Sequence, residues 1–412
     1  MNLSYFIAKR LAASKKYKSS VSAPIIKIAV IAVSISITMM LISVATGMGL
    51  QLKIRDKITS FNGHVLISNF DNNHSDITLV PLSTEQSFYP EFTEVPQVAS
   101  IHPFATKAGV IRTEQSFEGI IFKGVDEHYQ WHYLKEYLID GKLPQFETDG
   151  MTNEVLISLF HAQRLELNVG DKIQTYFLRT DGEGMPRVVA FTISGIYESG
   201  FPQFDENLVV GDLKHVQRLN RWNKDEVGGF EVFVDDFDEI ETVADEIYAR
   251  IPSTLNSVPI TAKYSAMFDW LRMFDFNIYI ILGLMILVSI INIVVALLVL
   301  ILERTQMIGI LKAIGADNWS IRKVFVYNAT HIVFKGLIYG NIIGLGLLFL
   351  QHQFGIVTLD PSQYYVKEAP VYISITVVLL LNILLVVLSY LVLLVPSYLI
   401  TKITPIKSIK FQ

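Results

Sequence analysis

Apolar residues are distributed unevenly along the chain and form four long runs. These runs cover residues 25–45, 278–302, 324–350 and 371–394 and contain few charged side chains. A helix needs about 20 mainly apolar residues to cross a hydrocarbon layer roughly 30 Å thick, so each run predicts one membrane-spanning helix. No small-x-small cleavage site follows the first run at a convincing distance, so we interpret this run as a retained anchor.

Between the first two runs, residues 51–272 have the pattern of a water-soluble domain. Short β-branched segments of alternating polarity predict strands, and segments with helical spacing predict helices. The predicted strands are 65–68, 110–113, 119–123, 155–158, 172–178, 188–195, 207–210 and 229–234, and the predicted helices are 159–165, 213–219 and 240–250. This mixture indicates an α+β domain. Residues 51–58 are expected to extend the first membrane helix, and residues 262–277 to lead into the second.

Composition and charge support this division. The 412 residues are 51% hydrophobic and only 18% charged, and the mean hydropathy is +0.40. Residues 51–272 contain 19 basic and 34 acidic residues, a net charge of −15. The segment before the first run, the loop between the second and third runs and the C-terminal tail are rich in lysine and arginine. Because cytoplasmic segments carry such an excess, both termini are predicted inside and the acidic domain outside.

Several kinds of catalytic site find no support in the sequence. The chain has no cysteine, which excludes disulfides and thiol nucleophiles. It has no GxxxxGK[ST] motif, so it is not expected to bind ATP itself. His128 and His132 have a spacing that can chelate zinc, but no third ligand is apparent and the metalloprotease order fails. We therefore predict no enzyme and no metal or cofactor site in this chain, and nothing points to nucleic acid.

Residues 303–316, Glu-Arg-Thr-Gln-Met-Ile-Gly-Ile-Leu-Lys-Ala-Ile-Gly-Ala, lie directly after the second run. Met307, Ile310, Leu311 and Ile314 recur at helical spacing, which predicts a short amphipathic helix that ends at Gly315. Such an apolar face at the membrane edge suits either lipid headgroups or a groove in a partner protein. The spacing alone leaves both possibilities open.

This same segment resembles the E+xxEIGILKAIGA motif of the FtsX/MacB-like permeases of type VII ABC transporters, most closely their LolC/LolE lipoprotein-releasing branch. The matching residues are Glu303, Arg304, Gly309, Ile310, Leu311, Lys312, Ala313 and Gly315, whereas Gln306 stands where an acid is common. Weaker similarities are found at residues 6–10, 42–49, 364–370 and 405–410. The resemblance implies that residues 303–316 form the coupling helix that contacts a cytoplasmic ABC ATPase dimer.

The resemblance also implies a mechanism and an organisation. ATP and Mg would be bound by the partner ATPase, whose closure moves the coupling helix and rearranges the outer domains. A second permease subunit, identical or different, would complete a bacterial inner-membrane complex that extracts lipoproteins. The implied segments are 1–24 amphipathic N-terminus, 25–50 first membrane helix, 51–272 periplasmic α+β domain, 273–302 second membrane helix, 303–323 coupling helix, 324–350 third membrane helix, 351–370 periplasmic loop, 371–400 fourth membrane helix and 401–412 tail.

Two further candidate sites follow from this expectation. Met39, Met40 and Met48 lie near the outer part of the first run, and their adaptable side chains suit a cavity for acyl chains. The loop that contains Arg179, Met185 and Pro186 is placed where one subunit type has a hook for a LolA-like periplasmic carrier, although its residues match weakly. A solvated hairpin is the simpler interpretation of this loop.

Two alternatives keep the same fold, namely an FtsX-like activator of a cell-wall hydrolase and a MacB-like subunit that drives an efflux channel. A third alternative is a tethered sensor or adhesion domain, which would have no need of a coupling helix. Lys335, an ionisable residue within the third run, has no assigned role.

Overall fold

The computed structural model describes residues 22–72, 75–146, 150–179 and 185–404. These residues form two compact units. The membrane domain contains residues 22–51, 270–358 and 368–404, and the insert domain contains residues 52–269 and 359–367. The predicted N-terminal segment 6–10, residues 180–184 of the hairpin loop and the tail segment 405–410 lie outside the described residues.

Helices occupy both units. In chain order they are α1 (Ser22–Asn62), α2 (His132–Lys135), α3 (Leu159–Arg164), α4 (Pro202–Asp205), α5 (Leu213–Asn220), α6 (Ile240–Arg250), α7 (Ile260–Lys263), α8 (Ser265–Glu303), α9 (Thr305–Ala313), α10 (Asn318–Phe354), α11 (Pro361–Tyr364), α12 (Ile375–Ser397) and α13 (Leu399–Lys402). Helices α1, α8, α10 and α12 are long and apolar enough to cross a membrane, so the prediction of four membrane helices is confirmed.

The four membrane helices pack around a shared apolar core. Fully or almost fully buried side chains come from every helix, for example Ile37 from α1, Leu297 from α8, Val333 from α10 and Leu385 from α12. The opposite faces expose isoleucine, leucine and phenylalanine. In water such faces would be unfavourable, whereas lipid tails solvate them without cost. The burial pattern is therefore that of a helix bundle in a bilayer.

The fourth membrane helix begins at Ile375, later than residue 371 where the apolar run starts. Residues 371–374 are not helical, although they are apolar. The backbone N–H of Tyr372 donates to the carbonyl of Ala45 in α1 at 3.0 Å, and Pro370 packs closely against Gly49. Hydropathy alone could not detect this tertiary contact.

The insert domain is built on a ten-stranded mixed sheet. Its strands are β1 (Val65–Asn69), β3 (Val98–Arg112), β4 (Phe117–Val125), β5 (Leu138–Gly141), β6 (Glu154–Ser158), β7 (Lys172–Phe177), β8 (Arg187–Tyr197), β9 (Leu208–Asp212), β11 (Gly229–Val234) and β12 (Leu255–Pro259), while β2 (Leu82–Ser83) and β10 (Glu226–Val227) form a separate pair. The strand order is β12-β1-β11-β3-β4-β9-β6-β8-β5, and β7 pairs with β3 and β8. This confirms the predicted α+β class.

All eight predicted strands and all three predicted helices of the insert are present, although β3 begins at Val98, twelve residues before its predicted start. The short pair of β2 and β10 was not predicted, and neither were strands β5 and β12. Both lie at an edge of the sheet, and β5 has only partly buried or exposed residues. An edge strand that buries little apolar surface has no alternating pattern to detect, because its pairing partner and not its side chains holds it in place.

The end of α1 is anchored inside the insert domain. Phe61 is 2% exposed and its ring packs 5.1–5.6 Å from the rings of Tyr137, Tyr197 and Phe204. The Lys123 ammonium donates to the Phe61 carbonyl at 2.7 Å, which satisfies one of the acceptors that a helix end leaves free. As predicted, α1 continues beyond the membrane run, and its last turn is part of the domain core.

Buried histidines make the insert domain sensitive to acid. Burial lowers the pKa of His102 and His161 to about 4, and these side chains are 4% and 0% exposed. Their neutral forms are therefore favoured in the folded state, so stability is complete above the unfolded pKa of about 6.5 and falls as the pH drops towards 4. We expect each histidine to destabilise the domain by roughly 2 kcal/mol at pH 5 relative to pH 8. Burial raises the pKa of Asp126 to about 6, which offsets part of this loss.

Thermal unfolding followed through Trp131 and Trp222, both in the insert domain, would measure this effect. The replacement His161→Gln should flatten the profile between pH 7 and pH 5 relative to the unaltered chain. An unfolding temperature that stays constant over this range in the unaltered chain would contradict the prediction.

Candidate functional site

The short helix α9 follows α8 with only Arg304 between them. Helix α9 ends before Gly315, whose φ of +93° lies in the region that favours glycine. The N–H groups of Gly315 and Ala316 donate to the carbonyls of Lys312 and Leu311 at 3.1 and 3.0 Å, which closes the last turn. The predicted amphipathic helix and its glycine stop are therefore present.

The apolar residues of α9 are divided between two faces. Ile308 is fully buried, and Met307 and Leu311 pack against the core of the membrane domain. Ile310 and Ile314, by contrast, are 49% and 74% exposed. This corrects the predicted single face of Met307, Ile310, Leu311 and Ile314. The reason is that the membrane domain itself covers one side of the helix, a contact that helical spacing cannot reveal.

The exposed side of α9 forms a narrow stripe, which we call the coupling stripe. It consists of Gln306, Ile310, Ala313 and Ile314, all of them exposed and spaced at one to two helical turns. Gly309, which neighbours Gln306 and Ala313 at helical spacing, is buried. The side chains of Glu303 and Arg304, where α8 meets α9, approach each other to 3.6 Å. The stripe is therefore an apolar surface on a helix that its own domain already holds.

Lys312 fixes α9 to the end of the last membrane helices. Its ammonium donates to the carbonyls of Ile400, Thr401 and Ile403 at 2.7, 3.2 and 2.7 Å. These carbonyls lie at the C-terminal end of α13, where backbone acceptors lack helical partners and a cation is favoured. These three hydrogen bonds connect α9 directly to α13. The sequence placed Lys312 in the motif but could not identify this partner, which lies about 90 residues away.

Arg322 makes a second connection between the start of α10 and the end of α12. Its guanidinium donates to the Ser397 hydroxyl at 3.1 Å and to the Leu394 carbonyl at 2.9 Å, and it lies over the ring of Trp319. Together, Lys312 and Arg322 connect α9 and the third membrane helix to the end of the fourth membrane helix and to α13.

A groove of about 670 Å³ lies between α1 and α10. Met39 lines it and is 44% exposed. Met40, which was predicted to line a cavity, is fully buried in the helix core instead, and Met48 packs against that core. The correction has a simple cause: consecutive residues on a helix point about 100° apart, so Met39 and Met40 cannot share a face. The groove also contains Lys27, His331 and Lys335.

Glycines bring α10 unusually close to α1. A Cβ atom on Gly340 would lie 2.0 Å from Cγ2 of Ile37, and one on Gly336 would lie 2.6 Å from the side chain of Val33. The Ser34 and Thr38 hydroxyls each donate to a carbonyl of α10 at 3.0 Å. Small residues permit this approach between membrane helices.

Enlarging Gly340 should therefore separate these helices. We expect Gly340→Ala to destabilise the membrane domain by about 1–3 kcal/mol, because the new methyl group overlaps Ile37 and the backbone of α1. Gly346→Ala is the matched control, since a Cβ there meets nothing within 4 Å. Thermal unfolding in detergent would compare the two variants. Equal unfolding temperatures would contradict the close packing.

The candidate docking hairpin joins β7 to β8. Its described loop residues include Leu178 and Met185, which are 70% and 88% exposed, while Arg179 is half-buried and Pro186 is exposed. Behind the loop, Val110, Tyr176 and Val188 are paired across three neighbouring strands. Val110 and Val188 are 37% and 52% exposed, so exposed apolar side chains continue from Leu178 and Met185 onto the neighbouring strands. We call these residues the hairpin surface.

The segment 359–367, between the third and fourth membrane helices, is part of the insert domain. The ring of Tyr365 stacks on Phe201 at 4.6 Å with an angle of 7°, and the Tyr365 carbonyl accepts from Lys57 at 2.9 Å. Lys367 pairs with Glu198. The sequence had indicated only a resemblance at residues 364–370. Its long-range partners could not be inferred because they lie more than 160 residues away.

Comparison with known proteins agrees with this architecture. The profile of the MacB-like periplasmic core domain matches residues 28–250, which is more than half of the chain, and that of the FtsX-like permease C-terminal domain matches residues 279–405. The lipoprotein-releasing system transmembrane protein LolC of Xylella fastidiosa is 22% identical over 375 residues, covering 88% of each chain. LolE of Haemophilus influenzae is 21% identical over 283 residues, covering 66% of this chain and 67% of LolE.

Among solved structures, the periplasmic region of MacB from Actinobacillus actinomycetemcomitans covers 50% of this chain and 92% of its own, with 12% identity and a TM-score of 0.33. The extracellular domain of the transporter YknZ covers 48% of this chain and 100% of its own, with 13% identity and a TM-score of 0.32. From the two family matches, which together span most of the described residues, the chain belongs to the FtsX/MacB-like family of ABC transporter permeases.

Proposed function

We propose that this chain is a permease subunit of an ATP-driven transporter that releases lipoproteins from the bacterial inner membrane. The observation that carries the proposal is the similarity to LolC over 88% of both chains, which includes the membrane helices as well as the insert. A likeness restricted to one domain would favour the family but no particular cargo.

The proposed orientation follows the charges. The lysine-rich N-terminus, α9 and the C-terminal tail face the cytoplasm, while the acidic insert domain, with most of the net charge of −15 in residues 51–272, faces the periplasm. This places the coupling stripe where a cytoplasmic ATPase can reach it. Cysteine replacements at Ile314 and at Ile139 in the cysteine-free chain would label from opposite sides of the membrane, and labelling from the same side would refute this orientation.

The coupling stripe is the proposed contact with the ATPase dimer, which binds ATP and Mg. Ile310 and Ile314 would enter an apolar groove, and Ala313 would allow close approach. Buried Gly309 and partly buried Leu311 would keep the helix on its own domain. Lys312 would pass the movement to α13. The Glu303–Arg304 pair and Gly315 would mark the two ends of this moving helix.

Three chain segments would transmit the movement into the periplasmic insert. Helix α1 runs without interruption from Ser22 to Asn62, α8 begins within the insert, and segment 359–367 belongs to the insert core. Two such permeases, identical or different, would close around the acyl chains of the cargo. Met48 remains a candidate for contact with those chains, whereas Met40 is excluded by its burial and Met39 lines the separate groove between α1 and α10.

The hairpin surface is the proposed site for a periplasmic carrier. Exposed apolar side chains grouped in this way, with Leu178 and Met185 beside Val110 and Val188, are typical of a surface that binds a protein partner. We expect Leu178→Asp with Met185→Asp to abolish transfer to a carrier while leaving ATP hydrolysis by the complex unchanged. Ile139→Asp is the control, because Ile139 is 51% exposed elsewhere on the insert. Normal transfer by the double variant would remove the hairpin from the proposal.

Depletion of the chain tests the function as a whole. Newly acylated lipoproteins should remain in the membrane of depleted spheroplasts to which a purified carrier has been added. Re-expression of the chain should restore their release, whereas the double replacement Ile310→Gln, Ile314→Gln should not. Undiminished release after depletion would overturn the proposal. Co-purification with a cell-wall hydrolase or a membrane-fusion protein would favour an FtsX-like or MacB-like role instead.

A further inference from the structure

The groove between α1 and α10 combines an apolar wall with a cluster of basic side chains. Lys27, His331 and Lys335 all line it and all are exposed. The buried side chain of Asn328 contributes an amide at the same end. Exposed lysines within an apolar helix face are unfavourable in lipid unless an anion or water reaches them. These residues therefore require an explanation that helix packing does not supply.

The basic groups gather at one end of the groove. The glycine contacts place Gly336 beside Val33 and Gly340 beside Ile37, so α1 and α10 run parallel at this point. Extending the same register brings His331 level with Ile28, next to Lys27, and places Lys335 about 6 Å further along the axis. This end lies near the start of α1 and on the same side of the membrane as α9. In a bilayer, these three groups would lie near the depth at which lipid headgroups join their acyl chains.

The other end of the groove is apolar. Ile31, Ile35, Met39, Tyr339 and Ile343 line it, with exposed fractions between 44% and 56%. At about 1.5 Å per residue, the distance from Lys27 to Met39 is about 18 Å, the length of most of one acyl chain. The groove therefore offers a basic pocket for a headgroup that continues into an apolar track.

No carboxylate lines the groove, and among the described residues neither Lys27 nor Lys335 forms a salt bridge. The first acidic residue of the chain is Asp56, so the preceding N-terminal segment, which contains several lysines and an arginine, cannot neutralise the groove. Neither the lining of the groove nor the N-terminal segment therefore supplies a negative charge to these side chains.

We propose that this groove binds an anionic phospholipid, with its phosphodiester held by Lys27, His331 and Lys335 and one acyl chain along α1 and α10. Basic pockets between membrane helices on the cytoplasmic side bind such headgroups. A triacylated protein N-terminus would fill the apolar track but has no phosphate for the basic end. The proposed site is thus distinct from the cargo path, and the proposal does not depend on which cargo the transporter moves. The bound lipid would stabilise the contact between α1 and α10 in which Gly340 takes part.

Native mass spectrometry of the full chain, purified with its partner subunits, tests this proposal. The complex would be equilibrated in nanodiscs of phosphatidylcholine that contain a minor fraction of phosphatidylglycerol and then extracted with a mild detergent. We expect selective retention of phosphatidylglycerol and about tenfold weaker retention by the Lys27→Gln, Lys335→Gln variant. Lys323→Gln, which removes the same charge from α10 outside the groove, should retain the lipid. The Lys27→Arg, Lys335→Arg variant should also retain it, which separates lost binding from a disturbed fold.

Other results would overturn the proposal. Equal retention of phosphatidylcholine would mean that the groove recognises no headgroup, and unchanged retention by the double glutamine variant would place the lipid elsewhere. Displacement by millimolar inorganic phosphate would indicate a free anion, and displacement by a triacylated lipopeptide would assign the groove to cargo. The Ile35→Cys variant provides a further test. A disulfide between two copies of this variant would mean that a second subunit covers the groove.

Discussion

Replacing Ile310 and Ile314 with glutamine is expected to separate the chain from its ATPase. These residues are 49% and 74% exposed on a helix whose other side is buried, so the change removes apolar contact area without disturbing the fold of the membrane domain. Apolar anchors at the centre of an interface typically contribute 2 kcal/mol or more each. For the two residues together this is about 4 kcal/mol, so affinity should fall by roughly a thousandfold. Glutamine is chosen because it favours helix and adds no charge near the C-terminal end of α9.

Co-purification and ATP hydrolysis by the reconstituted complex would measure this loss. Ile139→Gln, on the insert domain, is the control with equal chemistry at a distant exposed position. The competing interpretation places the coupling stripe in the lipid headgroups. Under that interpretation, the double variant would keep its ATPase and instead depend on lipid composition, so unchanged ATPase affinity would refute the proposed contact.

Lys123→Met is expected to produce the largest loss of stability in the insert domain, about 3–5 kcal/mol. Lys123 and Glu231 form an ion pair in which the side chains are only 5% and 2% exposed. Burial raises the pKa of the Glu231 carboxyl, and Lys123 opposes this shift. Without the lysine, Glu231 stays buried without its charge partner, and the Phe61 carbonyl at the end of α1 loses its donor.

Denaturant unfolding of the full chain, followed by the fluorescence of Trp131 and Trp222, would measure the loss. Lys172→Met is the matched control, because Lys172 is exposed on β7 of the same sheet. The double variant Lys123→Met, Glu231→Leu should recover much of the stability, since two apolar side chains need no charge partner. If Lys123→Met is no more harmful than Lys172→Met, the buried pair does not hold α1 in the insert.

The sequence identifies the residues of the first prediction but not the residue pair of the second. Ile310 and Ile314 belong to a local motif, and helical spacing placed them correctly on α9. Which side of α9 remains free was not visible, since Ile308 and Leu311 face a membrane core built from residues far away in the chain. Lys123 and Glu231 gave no signal at all. Each lies in a strand, and only the pairing of β4 and β11 with β3 between them brings the two charges together.

By itself, the sequence determined the number of membrane helices, the α+β class of the insert and the existence of α9. These properties depend on local hydrophobicity and spacing, which short segments carry without reference to the rest of the chain. Only the tertiary structure decided that Met40 is buried while Met39 is not. It also decided that Lys312 caps α13, that Tyr365 belongs to the insert and that Lys27 shares a groove with Lys335. Those facts depend on contacts between distant segments, whose energies are set by packing and burial and leave no periodic trace along the chain.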